Sequence, residues 1–337
     1  MKAVILAKSG NSKILSVTET DISNPTENQI QLKVKYSGVN YADILSRKGL
    51  YSWSPKRPYI MGLEAAGEVV KKGSNVTDLE IGDRVIYGGQ SGGYAEYINI
   101  DQSLALPAPE QFNWKECAAF GVTFFTSWIA LHEMARVREN ETLLVHSAAG
   151  GVGTATIQLA KAHNMKIYGT TSSESKFKTI EDLGATPLKY TNFDTELLNN
   201  NIRPDCIIET VGGDVYTRGF EILAPMGRVV LVGVSSIKAN KRNPFSMYKA
   251  WKALPKTSMG KVLRRSRGFM GVHLGYLLSQ PEKLRPSWLE MLKVIEEHNL
   301  RPTIRDDHIF PMTEVGIAHD FIDNRKNIGK VLLDPTK

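Results

Sequence analysis

Cysteine is nearly absent: Cys117 and Cys206 are the only two in 337 residues, far apart and without metal-like spacing. That argues against a disulfide framework or a structural zinc site, and makes a reducing cytosol the expected compartment. Hydrophobic runs of membrane-spanning length are lacking as well. Of two uncharged stretches, Cys117 to Leu131 is too short to cross a bilayer and Thr142 to Ala160 is interrupted by glycines, so both read as buried elements. Met1 to Lys8 has too short an apolar run for a secretory signal and alternates like a first strand. Acidic residues are missing from one region: Lys238 to Arg267 holds ten cations and no Asp or Glu. The whole chain has net charge +7, so the remainder is net −3. The basic balance is local, and nucleic acid is not an expected partner.

What is present is a globular composition, 42% hydrophobic and 23% charged, at a length that fits two ordinary domains. The most informative stretch is Thr142 to Lys161, TLLVHSAAGGVGTATIQLAK. Thr142 to His146 has strand character, Ala148 to Gly153 is a turn of small residues, and Val152 to Lys161 continues at helical spacing. Strand, turn and helix in that order are the context a dinucleotide-binding glycine pattern requires. Here it reads A-x-G-x-x-G, with Ala148 in the first glycine position. Gly150 lets backbone approach a pyrophosphate, Gly153 brings the helix close to the sheet, and the N–H groups of Gly151 and Val152 open the helix toward an anion.

The first third alternates at period 2 between turn residues. Strands are expected over Gln29 to Tyr36, Gly67 to Lys71, Arg84 to Tyr87 and Gly93 to Ile100, a density that suggests a compact antiparallel barrel. From about Phe120 strands and helices alternate. The strands are Met165 to Thr170, Thr186 to Tyr190, Cys206 to Glu209 and Arg228 to Val232, with a helix over Glu174 to Leu183. Repeated units of this kind imply a doubly wound parallel sheet. The tail reads as helix Ser287 to His298, strand Ile304 to Phe310, helix Thr313 to Asn324 and strand Lys330 to Leu333.

Several local patterns point the same way: Gly38-Val39-Asn40-Tyr41-Ala42-Asp43, Gly62-Leu63-Glu64-Ala65-Ala66-Gly67, Gly82-Asp83-Arg84-Val85 and the turn from Val145 to Gly153. The chain resembles the medium-chain dehydrogenase/reductase superfamily in its quinone oxidoreductase family. Pro225 to Val230, Lys241-Arg242-Asn243 and Gly271 to Leu277 look like the vesicle amine transport protein branch. The resemblance covers essentially the whole chain. It implies an α/β fold: a GroES-like antiparallel β-barrel catalytic domain over 1–121, completed by 268–337, and a Rossmann NADP-binding domain over 122–267. Zinc-dependent relatives place a cysteine near Asn40, a histidine where Leu63 stands, and four cysteines in a lobe near Gln90 to Pro107. None is present here, and zinc needs three or four such ligands, so no metal is expected.

No carboxylate occupies Thr170 to Ser173, where an NAD-preferring fold usually keeps one. Glu174 follows, but the resemblance puts it already in the loop or on the next helix. Lys176 with the hydroxyls of Thr171 and Ser172 suits a 2′-phosphate, and the resemblance adds Tyr190. The plain alternatives are an exposed helix lysine and a core-edge tyrosine. NADPH is the expected cofactor. The resemblance also places Thr123 near the nicotinamide, with Asn40, Gly233, Met270, Gly271 and Asn327 lining the cofactor. The reaction it implies is hydride transfer to a quinone or an α,β-unsaturated carbonyl. Without zinc, charge on the acceptor oxygen is met by hydrogen-bond donors, for which Asn40, Tyr41 and Tyr51 are the candidates. Asn40 as a turn residue and the tyrosines as core aromatics are the competing readings, and Asp43 and His132 read as orienting or structural. A second function from another class is a cofactor-holding protein that binds lipid or membrane with little turnover. Phe245, Tyr248, Trp251 and Leu254 recur every three residues in the basic stretch. They form either an element touching an anionic membrane weakly or a lid. Phe269 to Leu274 reads as a last strand of the nucleotide-binding sheet, an exposed edge that in the superfamily commonly pairs with its copy, so a homodimer is expected.

Overall fold

The computed structural model describes residues 1–236, 244–254 and 257–337, in two compact units. Met1–Val122, Leu274–Trp288 and Arg301–Lys337 form the first, Thr123–His273 and Leu289–Leu300 the second.

The alternating N-terminal segment folds into β1 (Lys2–Leu6), β2 (Val17–Glu19), β3 (Gln29–Val39), helix α1 (Tyr41–Lys48), β4 (Tyr59–Ile60), β5 (Glu64–Lys72), β6 (Arg84–Gly88), β7 (Tyr97–Asp101) and β8 (Ala105–Pro107). Strand β1 lies between β2 and β4 in a small antiparallel sheet. The long strand β3 pairs antiparallel with both β5 and β7. Its register against β5 shifts after Gln31 and after Val34, bulges of the kind that bend a sheet over its core. That core gathers Ile30, Leu32, Val34, Ala65, Val69 and Val85. The strand expected over Gly93 to Ile100 is realised only from Tyr97. Ala95 makes a single bridge to Ala3, and Tyr94 gives its backbone to Val4 and Met61.

Helix α2 (Trp114–Trp128) leads into the second unit, which alternates as β9 (Thr142–Val145), α3 (Gly151–Ala162), β10 (Lys166–Thr171), α4 (Phe177–Asp182), β11 (Thr186–Lys189), α5 (Phe193–Asn199), β12 (Cys206–Glu209), α6 (Gly213–Ile222), β13 (Arg228–Leu231), α7 (Pro244–Ala253), α8 (Met259–Arg265) and β14 (Gly268–Gly271). The six strands are all parallel, in the order β11-β10-β9-β12-β13-β14. The order reverses direction at β9, and in such a sheet ligands sit beyond the carboxyl ends of the strands at that switch.

The expected domain boundary at 268 moves. Gly268–Gly271 pairs residue for residue with Arg228–Leu231, which keeps the chain through His273 in the parallel-sheet unit. Helix α10 (Pro281–Glu297) follows the short α9 (Leu274–Leu277). It starts six residues before the expected Ser287 and runs through Pro286. Its C-terminal half, Leu289 onward, also counts with the second unit. The last elements, β15 (Ile304–Pro311), α11 (Val315–Asp323) and β16 (Lys330–Asp334), return to the first. There β16 pairs antiparallel with β3, and β15 lies parallel to β16.

The basic segment is only partly a free cationic surface. Lys261 and Arg265 pair with Glu221. The Arg267 guanidinium caps the carbonyls of Phe220, Glu221 and Leu223 at the end of α6, where the helix dipole favours a cation. Lys238, Lys241, Arg242, Asn243 and Lys256 lie outside the described residues. Among the described residues no helix is long and apolar enough to cross a membrane.

Candidate functional site

In the second unit the turn after β9 is built as its glycines require. Ser147 takes a left-handed conformation, φ 54°, and Gly150 caps α3 in extended conformation. The first N–H groups of α3, at Gly151, Val152 and Gly153, have no acceptor of their own in the helix, the condition under which a helix start can bind an anion. A Cβ on Gly153 would lie 2.3 Å from the Ser147 carbonyl and 2.6 Å from that of Ala148, so only glycine fits. The alanine in the first glycine position is accommodated by the neighbouring strand: a Cβ on Gly169 would come within 2.6 Å of the Ala148 methyl. The missing glycine of the motif thus has its compensation on β10.

The turn is tied down from both sides. Ala148 N–H donates to the Thr170 carbonyl at 2.9 Å, and Ser147 N–H donates to the Tyr190 hydroxyl at 2.8 Å. Ser127 Oγ lies 3.1 Å from the Val152 carbonyl and 2.8 Å from that of Thr123, the two sharing its one proton. Thr171, Ser172, Tyr190 and Gly233 all fall at or just past carboxyl ends of the parallel strands, and Gly271 ends β14 with Met270 beside it. A cavity of about 370 Å³ opens at the ends of β10 and β11, lined by Thr171, Ser172, Ser173, Glu174, Lys189 and Tyr190. Sequence reasoning missed Glu174 and Lys189 here. Glu174 does start a short helical turn, as expected, yet it lines the cavity and pairs with Lys189. Lys176 is buried rather than an open helix lysine.

A second pair was also missed. His146 Nε2 and Glu209 Oε2, both fully buried beneath the turn, face each other at 3.8 Å, and neither atom has a hydrogen-bond partner. His146 Nδ1 lies 2.7 Å from Thr170 Oγ1, while Glu209 Oε1 accepts from Val211 and Gly212 N–H. Burial pushes Glu209 up to about 7, against the pull of its backbone donors. Burial, reinforced by the Arg218 charge, pushes His146 down to about 3. His132, expected to be structural, stacks on Trp128 with ring centroids 4.0 Å apart, and burial lowers it to about 4.

In the first unit Asn40 caps α1, its N–H donating to Asp43 Oδ2 at 2.9 Å. Asp43 is buried, also accepts from Leu63 N–H, and is raised to about 7 by burial. The Asn40 amide is held at both ends: Oδ1 accepts from Lys330 Nζ at 2.7 Å, and Nδ2 donates to Glu64 Oε2 at 3.1 Å. Lys330 and Glu64 form a buried ion pair at 2.5 Å, and Glu64 Oε1 accepts from Val122 N–H. Gly38 makes room for it, since a Cβ there would meet both Glu64 Oε2 and the Lys330 side chain. Nothing in the sequence marked Lys330 as Asn40's partner, because the two are 290 positions apart. Tyr41 sits on the first turn of α1, its hydroxyl raised by burial and by Asp323. The Tyr51 hydroxyl is raised by burial and by Asp43, and its ring lies edge-on to Trp53. Asn327 Nδ2 donates to the Gly329 carbonyl. Leu63 is buried. Among the described residues no three His, Cys, Asp or Glu side chains come together as a metal site.

Two family models match the chain: the alcohol dehydrogenase GroES-like domain over residues 26–110 and zinc-binding dehydrogenase over 151–292. The synaptic vesicle membrane protein VAT-1 homolog of Rattus norvegicus is 33% identical over 317 residues, 92% of this chain and 78% of the relative. The quinone oxidoreductase of Mus musculus is 31% identical over 344 residues, 99% of this chain and 97% of the relative. The crystal structure of Escherichia coli quinone oxidoreductase complexed with NADPH superposes with a TM-score of 0.88 at 27% identity, covering 99% and 100% of the two chains.

Proposed function

The chain belongs to the quinone oxidoreductase-like medium-chain dehydrogenases/reductases and resembles their VAT-1 branch, and on that footing we propose that it is a zinc-independent, NADPH-dependent reductase of quinones or α,β-unsaturated carbonyls. The observation that carries the reading is the turn from Ser147 to Gly153: a cradle that a single Cβ would fill, at the switch point of a parallel sheet. Bound NADPH would supply a hydride. The protein's part is to bind and orient it. The helix N–H groups at Gly151 to Gly153 would hold the pyrophosphate, and Thr171, Ser172, Lys176 and Tyr190 the adenosine ribose and its phosphate. Thr123, Gly233, Met270, Gly271 and Asn327 would line the rest of the cofactor.

In the first unit both ends of the Asn40 amide are already engaged. Its proposed part is therefore to anchor the helix that carries Tyr41, and the hydroxyls of Tyr41 and Tyr51 are the proposed donors to the acceptor oxygen. Leu63 and Asn40 offer no metal ligands, which supports zinc independence. Measuring NADPH oxidation with a panel of quinones and enones tests the reading. Turnover with none of them would leave a cofactor-holding protein.

That second reading has its own support: on α7 Phe245 and Tyr248 are 64% and 56% exposed, with Lys249 and Lys252 on the same helix. Aromatics among cations suit an anionic membrane surface. Sedimentation with anionic but not neutral vesicles at low salt, lost near 0.5 M salt on the order set by screening, would support it. A homodimer through the edge strand β14 and a cytoplasmic location complete the proposal.

A further inference from the structure

Strands β10 and β11 end side by side, with Thr171 directly across from Lys189. In a sheet of this order the ribose of the adenosine half is read at the end of the second strand, which here is β10. The cavity at that point holds one carboxylate and one ammonium, Glu174 and Lys189, and the two are paired with each other. Tyr190, the next lining residue, is hydrogen-bonded to the glycine turn through Ser147, which ties the cavity to that turn.

We propose that the Glu174–Lys189 ion pair is a selector for the group at the 2′ position of that ribose, an inference that rests on the nicotinamide-cofactor reading above. The pair is solvent-exposed, with side chains 65% and 51% accessible, and pairs of this kind hold weakly. A ribose phosphate, with two negative charges and three acceptor oxygens, draws the Lys189 ammonium away and leaves Glu174 to turn into solvent. A ribose hydroxyl, which must donate, finds Glu174 as its acceptor with the pair intact. The two partners thus favour different nucleotides, and Glu174 restrains Lys189 until a phosphate draws it away.

Calorimetric titration of the full chain with NADPH, NADH and adenosine 2′,5′-bisphosphate, in native, Lys189→Ala, Glu174→Gln and Lys176→Ala forms, tests the selector. Loss of Lys189 is expected to weaken NADPH and the bisphosphate about tenfold, what one charge-assisted contact contributes at an open site, and to leave NADH unchanged. Glu174→Gln is expected to tighten the bisphosphate and weaken NADH. Equal effects of Lys189→Ala on NADPH and NADH, or none on either, would overturn the selector. If the native protein binds neither nucleotide, the cofactor reading itself fails. If it prefers NADPH and only Lys176→Ala removes that preference, the cofactor reading stands and the selector falls.

Discussion

Replacing Glu209 by Gln should alter how the protein's stability depends on pH, by an amount the buried His146–Glu209 pair sets. The Gln side chain keeps an oxygen for Val211 and Gly212 N–H and turns an amide toward His146 Nε2, so geometry is conserved while ionisation is removed. In the native fold burial raises Glu209 from 4.5 to about 7. Between those values the folded protein keeps a proton on Glu209 that the unfolded chain has released. The unfolded state binds fewer protons, so native stability falls as pH rises through this window. The gap converts to about 3 kcal/mol. His146 and His319, lowered to about 3 by burial, act oppositely, their contribution being lost as pH falls below 6.5. They are present in both proteins and largely cancel in the difference. Urea unfolding of the two proteins at intervals from pH 4.5 to 8 should show the variant gaining on the native chain by up to about 3 kcal/mol, nearly all of it below pH 7.5. A difference that stays constant with pH would refute the reasoning.

Lys330→Met leaves Glu64 as a buried unpaired charge and should cost about 3–5 kcal/mol in denaturant unfolding; adding Glu64→Gln should restore part of it, and no restoration would mean the pair is not the cause. Gly153→Ala forces a methyl onto the carbonyls of Ser147 and Ala148, so both melting temperature and NADPH affinity should fall, measured by thermal unfolding with and without NADPH. Elemental analysis should find no stoichiometric zinc, and chelator should leave reductase activity intact; one tightly held zinc per chain would contradict the Leu63 and Asn40 argument. Light scattering should give a dimer mass, and a monomer across micromolar concentrations would remove β14 as an interface.

The sequence by itself determined those features whose cause is local. Period-2 alternation placed β3, β5 and β6, the glycine turn placed β9 and α3, and the repeated strand–helix units implied a parallel sheet. The turn's steric demand at Gly153 was likewise legible, since the backbone that crowds it lies five and six residues away in the same turn. The tertiary structure alone decided contacts between residues distant in the chain. It set Gly169 beside Ala148, Lys189 across from Thr171, Glu209 beneath His146 and Lys330 on Asn40. Strand register and strand order create these neighbours, and neither is encoded in the spacing of the residues concerned. At the end of the parallel sheet Phe269 read as a last strand from its own residues, and the tertiary structure added its register, Phe269 across from Val229.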